Sequence, residues 1–413
     1  MSSTFVERYF VHMKLLKYNS LMLRPIYALS LSLSLTACGN GSWWSTDDPQ
    51  LNTEQITSLI PSRVKDRASW AKDIDAINKE LKIPNSKENI CTIIAVVDQE
   101  SNFVAHPHVA GLGPKAAKEV STRLQEKFEA KLGETIGGPL ADYFQDVLQN
   151  QPTPEDNYYK RISKVKNEQQ LDVLYREIFA YMSKHYHISA LTGAAKLVGQ
   201  DFSEKMNPIT TLGSMQVHIN YALANKRSSI STNELRDELY TQYGGLYYGI
   251  HRLMMYPAAY DKAIYRFADF NSGTYSSRNA AVQKMVNKLM DSDLSLDGDF
   301  LSYDKNENPL PIVSTTEKTI NNLFIQNNIL ITPRQLRSDL KKEKDLDFEK
   351  TQTYIAINKL YKDKVGKAHP YAIMPEVVIS GPKLSRDYNT NWYASRVNGR
   401  YDTCMHRAKR IKT

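Results

Sequence analysis

The stretch Ile90-Cys91-Thr92-Ile93-Ile94-Ala95-Val96-Val97-Asp98-Gln99-Glu100-Ser101-Asn102-Phe103 decides how the rest of the chain is read. Its apolar heart, Ile93 to Val97, has the length of a buried strand. Over the longer window from Glu88, apolar residues recur at Ile90, Ile93, Ile94 and Val97, the spacing of one helix face. A largely buried helix is expected, ending at the polar group that contains Glu100. Outward from it, helical patterning starts near Thr53, runs through Trp70 to Leu81 and is punctuated by Pro84. On the other side, Gly111 to Pro114 reads as a loop. Lys115 to Gln149 reads as mostly helical, with an interruption at Gly137-Gly138-Pro139. A second break covers Gln151 to Asp156, and a helix follows over Glu168 to His185. Gly213 to Ala224 opens a further helical block, continued by Glu234 to Met255, Ala258 to Phe270 and Asn279 to Met290. Residues 291–314 turn Asp-, Ser-, Asn- and Pro-rich before helices return at Glu317 to Gln326 and Thr332 to Asp363. Thr332-Pro333 is a cap with proline in the first turn. The last fifty residues, rich in Tyr, Arg and Asn, read as irregular. The expected fold is mainly α, with a mixed, partly irregular C-terminal region.

A chain of 413 residues suits one large domain with insertions, or two ordinary ones. With 41% hydrophobic and 24% charged residues it has globular composition, which excludes disorder of the whole. The formal charge is +8. Residues 1–37 hold Arg8, Lys14, Lys17 and Arg24 against Glu7, so removing them leaves a milder basic excess. That excess fits an anionic partner such as cell wall or lipid headgroups. Nucleic acid is not expected: no dense basic cluster with interleaved aromatics occupies the middle of the chain. No cofactor is expected either, since phosphate-binding glycine loops are absent.

The N-terminus carries an export pattern. Arg24 precedes an apolar stretch from Ile26 to Leu35, too short to span a bilayer, and the small residues Thr36 and Ala37 lead into Cys38. Leu35-Thr36-Ala37-Cys38 resembles the bacterial lipobox. The resemblance implies a signal peptide over 1–37 and a lipid anchor on Cys38, on the periplasmic face of the outer membrane, since no acidic retention signal follows Gly39. Met22 is a plausible start for this signal. Residues 38–56, rich in Gly, Ser, Asp and Asn with Trp43-Trp44, read as a tether. Two cysteines then remain, Cys91 and Cys404. In an oxidising compartment they can pair, or stay as two unrelated buried thiols.

Three short segments occur in order: Glu100-Ser101-Asn102-Phe103, Gly213-Ser214-Met215-Gln216-Val217, and Phe267-Ala268-Asp269-Phe270-Asn271-Ser272-Gly273. Together they resemble the motifs of the lytic transglycosylase and goose-type lysozyme superfamily. The resemblance covers about Ile90 to Met290. It implies a lysozyme-like helical catalytic domain over 57–290, with a large helical insertion at about 114–205, followed by a C-terminal region over 291–413. It also implies peptidoglycan glycan strands as substrate, with cleavage of the β-1,4 bond between N-acetylmuramic acid and N-acetylglucosamine. One glutamate would act as acid and then base, leaving 1,6-anhydro ends. Over its whole length the chain also resembles a bacterial lipoprotein family of unassigned function.

The chemistry agrees with this resemblance. Glycoside cleavage needs a carboxylic acid still protonated near neutral pH. A glutamate at the negative end of a helix dipole, beside an apolar run, is disfavoured in its charged form. Glu100 is placed there. Asp98, two residues earlier, points to a different helix face. Asp269 is either a second carboxylate or a capping acid, at a place where the resembled family usually has a small residue. Gly213 permits close backbone approach, Met215 packs against a sugar ring or under Glu100, and Gln216 offers an amide to sugar or to Glu100. Ser101, Phe270, Asn271 and Gly273 complete the expected substrate-binding set, with Asn271 and Gly273 in a polar turn. Two departures stand out. Phe270 replaces the tyrosine usual in the resembled family, and Glu100 lies 113 positions before Gly213, far more than in many relatives.

Two other readings use different residues. His106-Pro107-His108 and His185-Tyr186-His187 could hold zinc in a cell-wall metallohydrolase, although no His-Glu-x-x-His is present and the main expectation includes no metal. A non-catalytic wall-binding or scaffold lipoprotein would keep the fold with a degenerate site. The segment Tyr388 to Tyr401, with Trp392, Arg396 and Arg400, can stack on sugars, bind anionic wall groups or pack on the main domain, where a Cys404 bridge would hold it.

Overall fold

Ser86 starts the central helix, α3 (Lys87–Glu100): its side chain accepts from the Asn89 amide, and Glu88 supplies an acid in the first turn. Ile90, Ile93, Ile94 and Val97 are at most 1% exposed, so the helix is buried along its length and the helical reading of the run holds. Each such side chain contributes about 1.5–3 kcal/mol on leaving water. The helix stops at Ser101, whose backbone N–H and hydroxyl both return to Val97 O, at 3.1 and 3.2 Å. Asn102 and Phe103 then take positive φ angles of 51° and 60°, which turn the chain sharply and seat Phe103 edge-on against Trp70.

The computed structural model describes residues 48–185, 207–304, 308–379 and 388–412. The expected lipidation site Cys38, the Trp43-Trp44 pair and His187 lie outside them. Among the described residues helix dominates, and the strands are four two-residue pieces, so the protein is mainly α. No described helix is long and apolar enough to cross a membrane.

Three cores organise residues 48–412. The first joins α1 (Thr53–Leu59), α2 (Arg67–Leu81) and α3 to α8 (Ile219–Ala224), α9 (Thr232–Leu239), α10 (Gln242–Met254), α11 (Ala263–Ser272) and the last helix, α16 (Thr390–Ala408). The second belongs to α4 (Leu112–Leu132), α5 (Glu134–Asn150), α6 (Tyr158–Ser163) and α7 (Glu168–His185), around Phe144, Leu148, Ile178 and Phe179. These four helices fall largely in the stretch of about 114–205 where a helical insertion is expected. Asp172 in α7 ties this core to the first: fully buried, it accepts from Nε of Arg236 at 2.8 Å and Nδ2 of Asn207 at 2.7 Å, and forms an ion pair with Arg176, Nε 3.1 Å away. Removing one partner of such a pair leaves a buried charge uncompensated. The third core, around Phe300, Phe324, Leu340 and Phe348, joins α12 (Ser276–Met290) to α13 (Thr315–Gln326), α14 (Pro333–Leu340) and α15 (Gln352–Val365). Helices from both sides of residue 290 therefore share cores.

Three local expectations are corrected. The break expected at Gly137 to Pro139 falls at Gly133, whose φ of 74° separates α4 from α5, while Pro139 sits inside α5. Pro139 is past the first turn, so α5 forgoes one backbone hydrogen bond there. Gly213 to Val217 is not helical: β1 (Thr211–Leu212) pairs antiparallel with β2 (Val217–His218), and residues 213–216 are the turn between them. The tail read as irregular contains the 19-residue helix α16, capped by Asn389, which follows a short pairing of β3 (Val378–Ile379) with β4 (Tyr388–Asn389). Its buried stripe is Tyr393, Ala394, Val397, Cys404 and Ala408, helical in spacing but poor in large aliphatic residues.

Inside the third core the carboxyl of Glu343 is fully buried and accepts from the Phe300 amide and the Tyr303 hydroxyl. Burial pushes its pKa up to about 8. A carboxyl raised on folding contributes stability that is fully present below its unfolded value. That contribution fades as pH climbs through the folded one. Glu343→Gln is expected to flatten the fall in melting temperature between pH 5 and pH 8. Parallel melting curves of the two proteins across that range would contradict this origin.

Candidate functional site

Glu100 ends α3 half-buried, and the hydroxyl of Tyr393 donates to its Oε1. Burial pushes the Tyr393 hydroxyl far above its ordinary value and the Glu100 carboxylate adds to this, while Arg252 and Arg400 pull the other way. Tyr393 comes from α16, 293 positions away in sequence. The Cys91–Cys404 disulfide pins the same two helices together at Cα–Cα 5.5 Å, so the possible pairing of the two cysteines is realised.

The third motif faces this pair through Arg252 of α10. Its guanidinium lies 5.3 Å from the Phe270 ring centroid and 5.8 Å from that of Tyr221, and it donates to Phe270 O at 3.0 Å. Asn271 Nδ2 reaches Thr390 Oγ1, at the start of α16, at 3.5 Å. Gly273 ends α11. Motifs one and three are therefore brought together by α16 and Arg252. Neither Arg252 nor Thr390 was legible beforehand, because nothing in the local sequence of α10 or α16 marks them. Tyr221 Oη and His251 Nδ1 meet at 2.7 Å, and the Tyr247 ring lies beside His251, so aromatic faces continue along α10.

The second motif is built for packing. Gly213 has φ 76°, and a Cβ there would come within 2.3 Å of Leu239 O, so only glycine fits. Met215 is fully buried against Gly249 of α10, where a Cβ would fall 2.2 Å from its Sδ. Met215 therefore cannot lie on a sugar, and its expected substrate contact is corrected to a core role. Gln216, at φ 51°, donates to Glu168 Oε2 at 3.1 Å and to Gly213 O at 3.2 Å, and accepts from Thr211 Oγ1 at 3.2 Å. Its amide ties the turn to α7. Ser101 is likewise a buried helix cap, not a sugar contact.

Asp269 is no second catalytic carboxylate. It is 1% exposed and accepts from the amides of Ser277 (2.8 Å) and Tyr275 (3.0 Å), and from the hydroxyls of Ser276 (3.1 Å), Tyr260 (2.5 Å) and Tyr256 (3.2 Å). Burial raises its pKa against the pull of these bonds. It caps the start of α12, with no room to activate a water. Asp98 is buried too, paired with Arg63 and 3.3 Å from Arg400 Nε. Of the three acids singled out, only Glu100 remains partly open to solvent.

The histidines do not converge among the described residues. His106 lies against Tyr240, with ring centroids 6.3 Å apart, and burial lowers its pKa. His185 stacks on Tyr181 at 4.1 Å. No described group of three or more His, Cys, Asp or Glu side chains is arranged to hold a metal ion.

Fold and site together define a mainly α protein in which one half-open glutamate at a helix end is held by a tyrosine from the C-terminal helix. The chain belongs to the family described as a protein of unknown function, DUF1615, whose model matches residues 63–407. The match spans the second core, the third core and nearly all of α16, so these are parts of the family unit. The chain is similar to the uncharacterized protein YaiW of Escherichia coli (strain K12), 31% identical over 390 residues, covering 92% of this chain and 98% of that protein. No solved structure matches the chain significantly.

Proposed function

We propose that the protein is a peptidoglycan lytic transglycosylase, held at the periplasmic face of the outer membrane by a lipid on Cys38. The observation that carries this reading is Glu100. It is a half-buried carboxyl at the negative end of a buried helix, under the Tyr393 hydroxyl, while Asp98 and Asp269 are both committed to buried networks. In the proposed reaction the Glu100 carboxyl gives its proton to the bridging glycosidic oxygen as the C1–O bond breaks. The muramic 6-hydroxyl then forms the new bond to C1, and its proton passes to the Glu100 carboxylate. No water is consumed and the glutamate ends as it began. Tyr393 can donate to the carboxylate and accept from the acid, so it can follow both states. Arg252, Asn271 and the rings of Phe270 and Tyr221 form the candidate wall of the sugar cleft.

The test is digestion of purified sacculi with the protein, with products identified by mass spectrometry. Anhydro-muramic ends support the reading. Reducing ends would replace it by hydrolysis. Retained sacculus binding with no cleavage would replace it by a scaffold role, for which the engagement of Gln216 by Glu168 is the supporting observation. Tyr393→Phe is expected to slow release by about tenfold, the worth of one hydrogen bond to a charged group. A rate within twofold of wild type would remove Tyr393 from the machinery.

A further inference from the structure

Where α3 presents Ile94 and Asp98, α16 and the segment after α1 line an open pocket of about 450 Å³. Four arginines line it, Arg63, Arg396, Arg400 and Arg407, with Asp98 as the single carboxylate. On α16, Arg396 and Arg400 are four apart and share a helix face, and Gly399 leaves the wall beside them without a side chain. Asp98 takes Arg63 and lies 3.3 Å from Arg400 Nε, which is buried and makes no hydrogen bond there. Arg407 spends two donors on Leu59 O, at 3.1 and 2.6 Å. Arg396 lies with its guanidinium 5.2 Å from the Trp392 ring centroid. Burial lowers the pKa of Arg407; the Asp98 carboxylate opposes this and the charge of Arg63 adds to it.

Arg63 and Arg396 are exposed at the mouth of the pocket and Arg400 and Arg407 are partly buried, and like charges gathered around one pocket repel unless an anion offsets them. Here one carboxylate faces four guanidiniums. Guanidinium forks bind oxyanions in bidentate fashion, and phosphate presents more acceptor oxygens and more charge than a single carboxylate. We propose that this pocket is an anion site that takes a phosphate group, either from a lipid headgroup or from a soluble phosphate ester. The site is separate from the glycan reaction and does not rest on it. Its consequence is positional: a phosphate clamped between α3 and α16 joins the two helices that hold Glu100 and Tyr393.

The test uses the full chain carrying Cys38→Ser, so that no lipid anchor competes, and titrates it calorimetrically with inorganic pyrophosphate at constant ionic strength. Saturable binding at one site is expected. It should weaken at least about tenfold in Arg63→Gln/Arg396→Gln and in Thr403→Glu, which places a carboxylate in the pocket. Lys409→Gln/Arg410→Gln, which removes the same charge nearby but outside the pocket, should change it less than about twofold. Melting curves check that each variant is folded. Flotation with phosphatidylglycerol vesicles, competed by pyrophosphate, assigns the group to a headgroup; soluble binding without flotation assigns it to a phosphate ester. No saturable binding by the wild type, or equal weakening in the control variant, would overturn the site.

Discussion

Glu100→Gln is expected to reduce release of anhydro-muramic ends from sacculi by about 10²–10⁴-fold, the usual contribution of a positioned general acid. The reasoning is specific to this geometry. Glutamine matches the glutamate in shape and can still accept the Tyr393 hydroxyl, so the packing of α3 against α16 is retained. It has no proton to give to the glycosidic oxygen. The melting temperature should therefore stay near that of wild type while the activity disappears. The comparison needs both readouts. A variant that is folded and still active would mean that another group supplies the proton. Since Asp98 and Asp269 are buried and fully engaged, the search would have to leave the three motifs. A variant that fails to melt cooperatively would show instead that Glu100 is structural.

Removing the Cys91–Cys404 bridge, by Cys91→Ala/Cys404→Ala or by reduction, is expected to cost roughly 2–5 kcal/mol. The two cysteines are 313 positions apart, so the bridge closes a loop over most of the protein. In the chain-entropy account a long loop means a large constraint on the unfolded state. Both thiols are fully buried in the first core, so the replacement also leaves small cavities. The melting temperature should fall by several degrees. Glycan release should fall as well, because the same two helices hold Glu100 and Tyr393. An unchanged melting temperature under reducing conditions would mean that packing of α16 on α3 alone carries the contact.

Much of the helical framework was legible because burial imposes a period. Ile90, Ile93, Ile94 and Val97 reveal α3 although the run is short, since the polar residues Asn89, Thr92 and Asp98 interrupt it even though they too are buried. Helix α16 escaped the same reading because its buried stripe is made of Tyr393, Ala394, Cys404 and Ala408, interrupted by arginines and asparagines. The second motif misled in another way. Gly213 and Met215 are demanded by packing against Leu239 and Gly249, and a packing demand and a binding demand can select the same residue types. Asp269 was readable as either acid or cap, and only its burial among two amides and three hydroxyls decides for the cap.

By itself the sequence determined a mainly α chain, a glutamate at the end of a buried helix, and two cysteines free to pair. Periodicity, capping residues and composition are local quantities, and local physics sets them. Only the tertiary structure decided which carboxylate stays open, which residue touches it, and that four arginines share one pocket. These depend on which surfaces meet after residues hundreds of positions apart pack together, and no short window of sequence records that meeting.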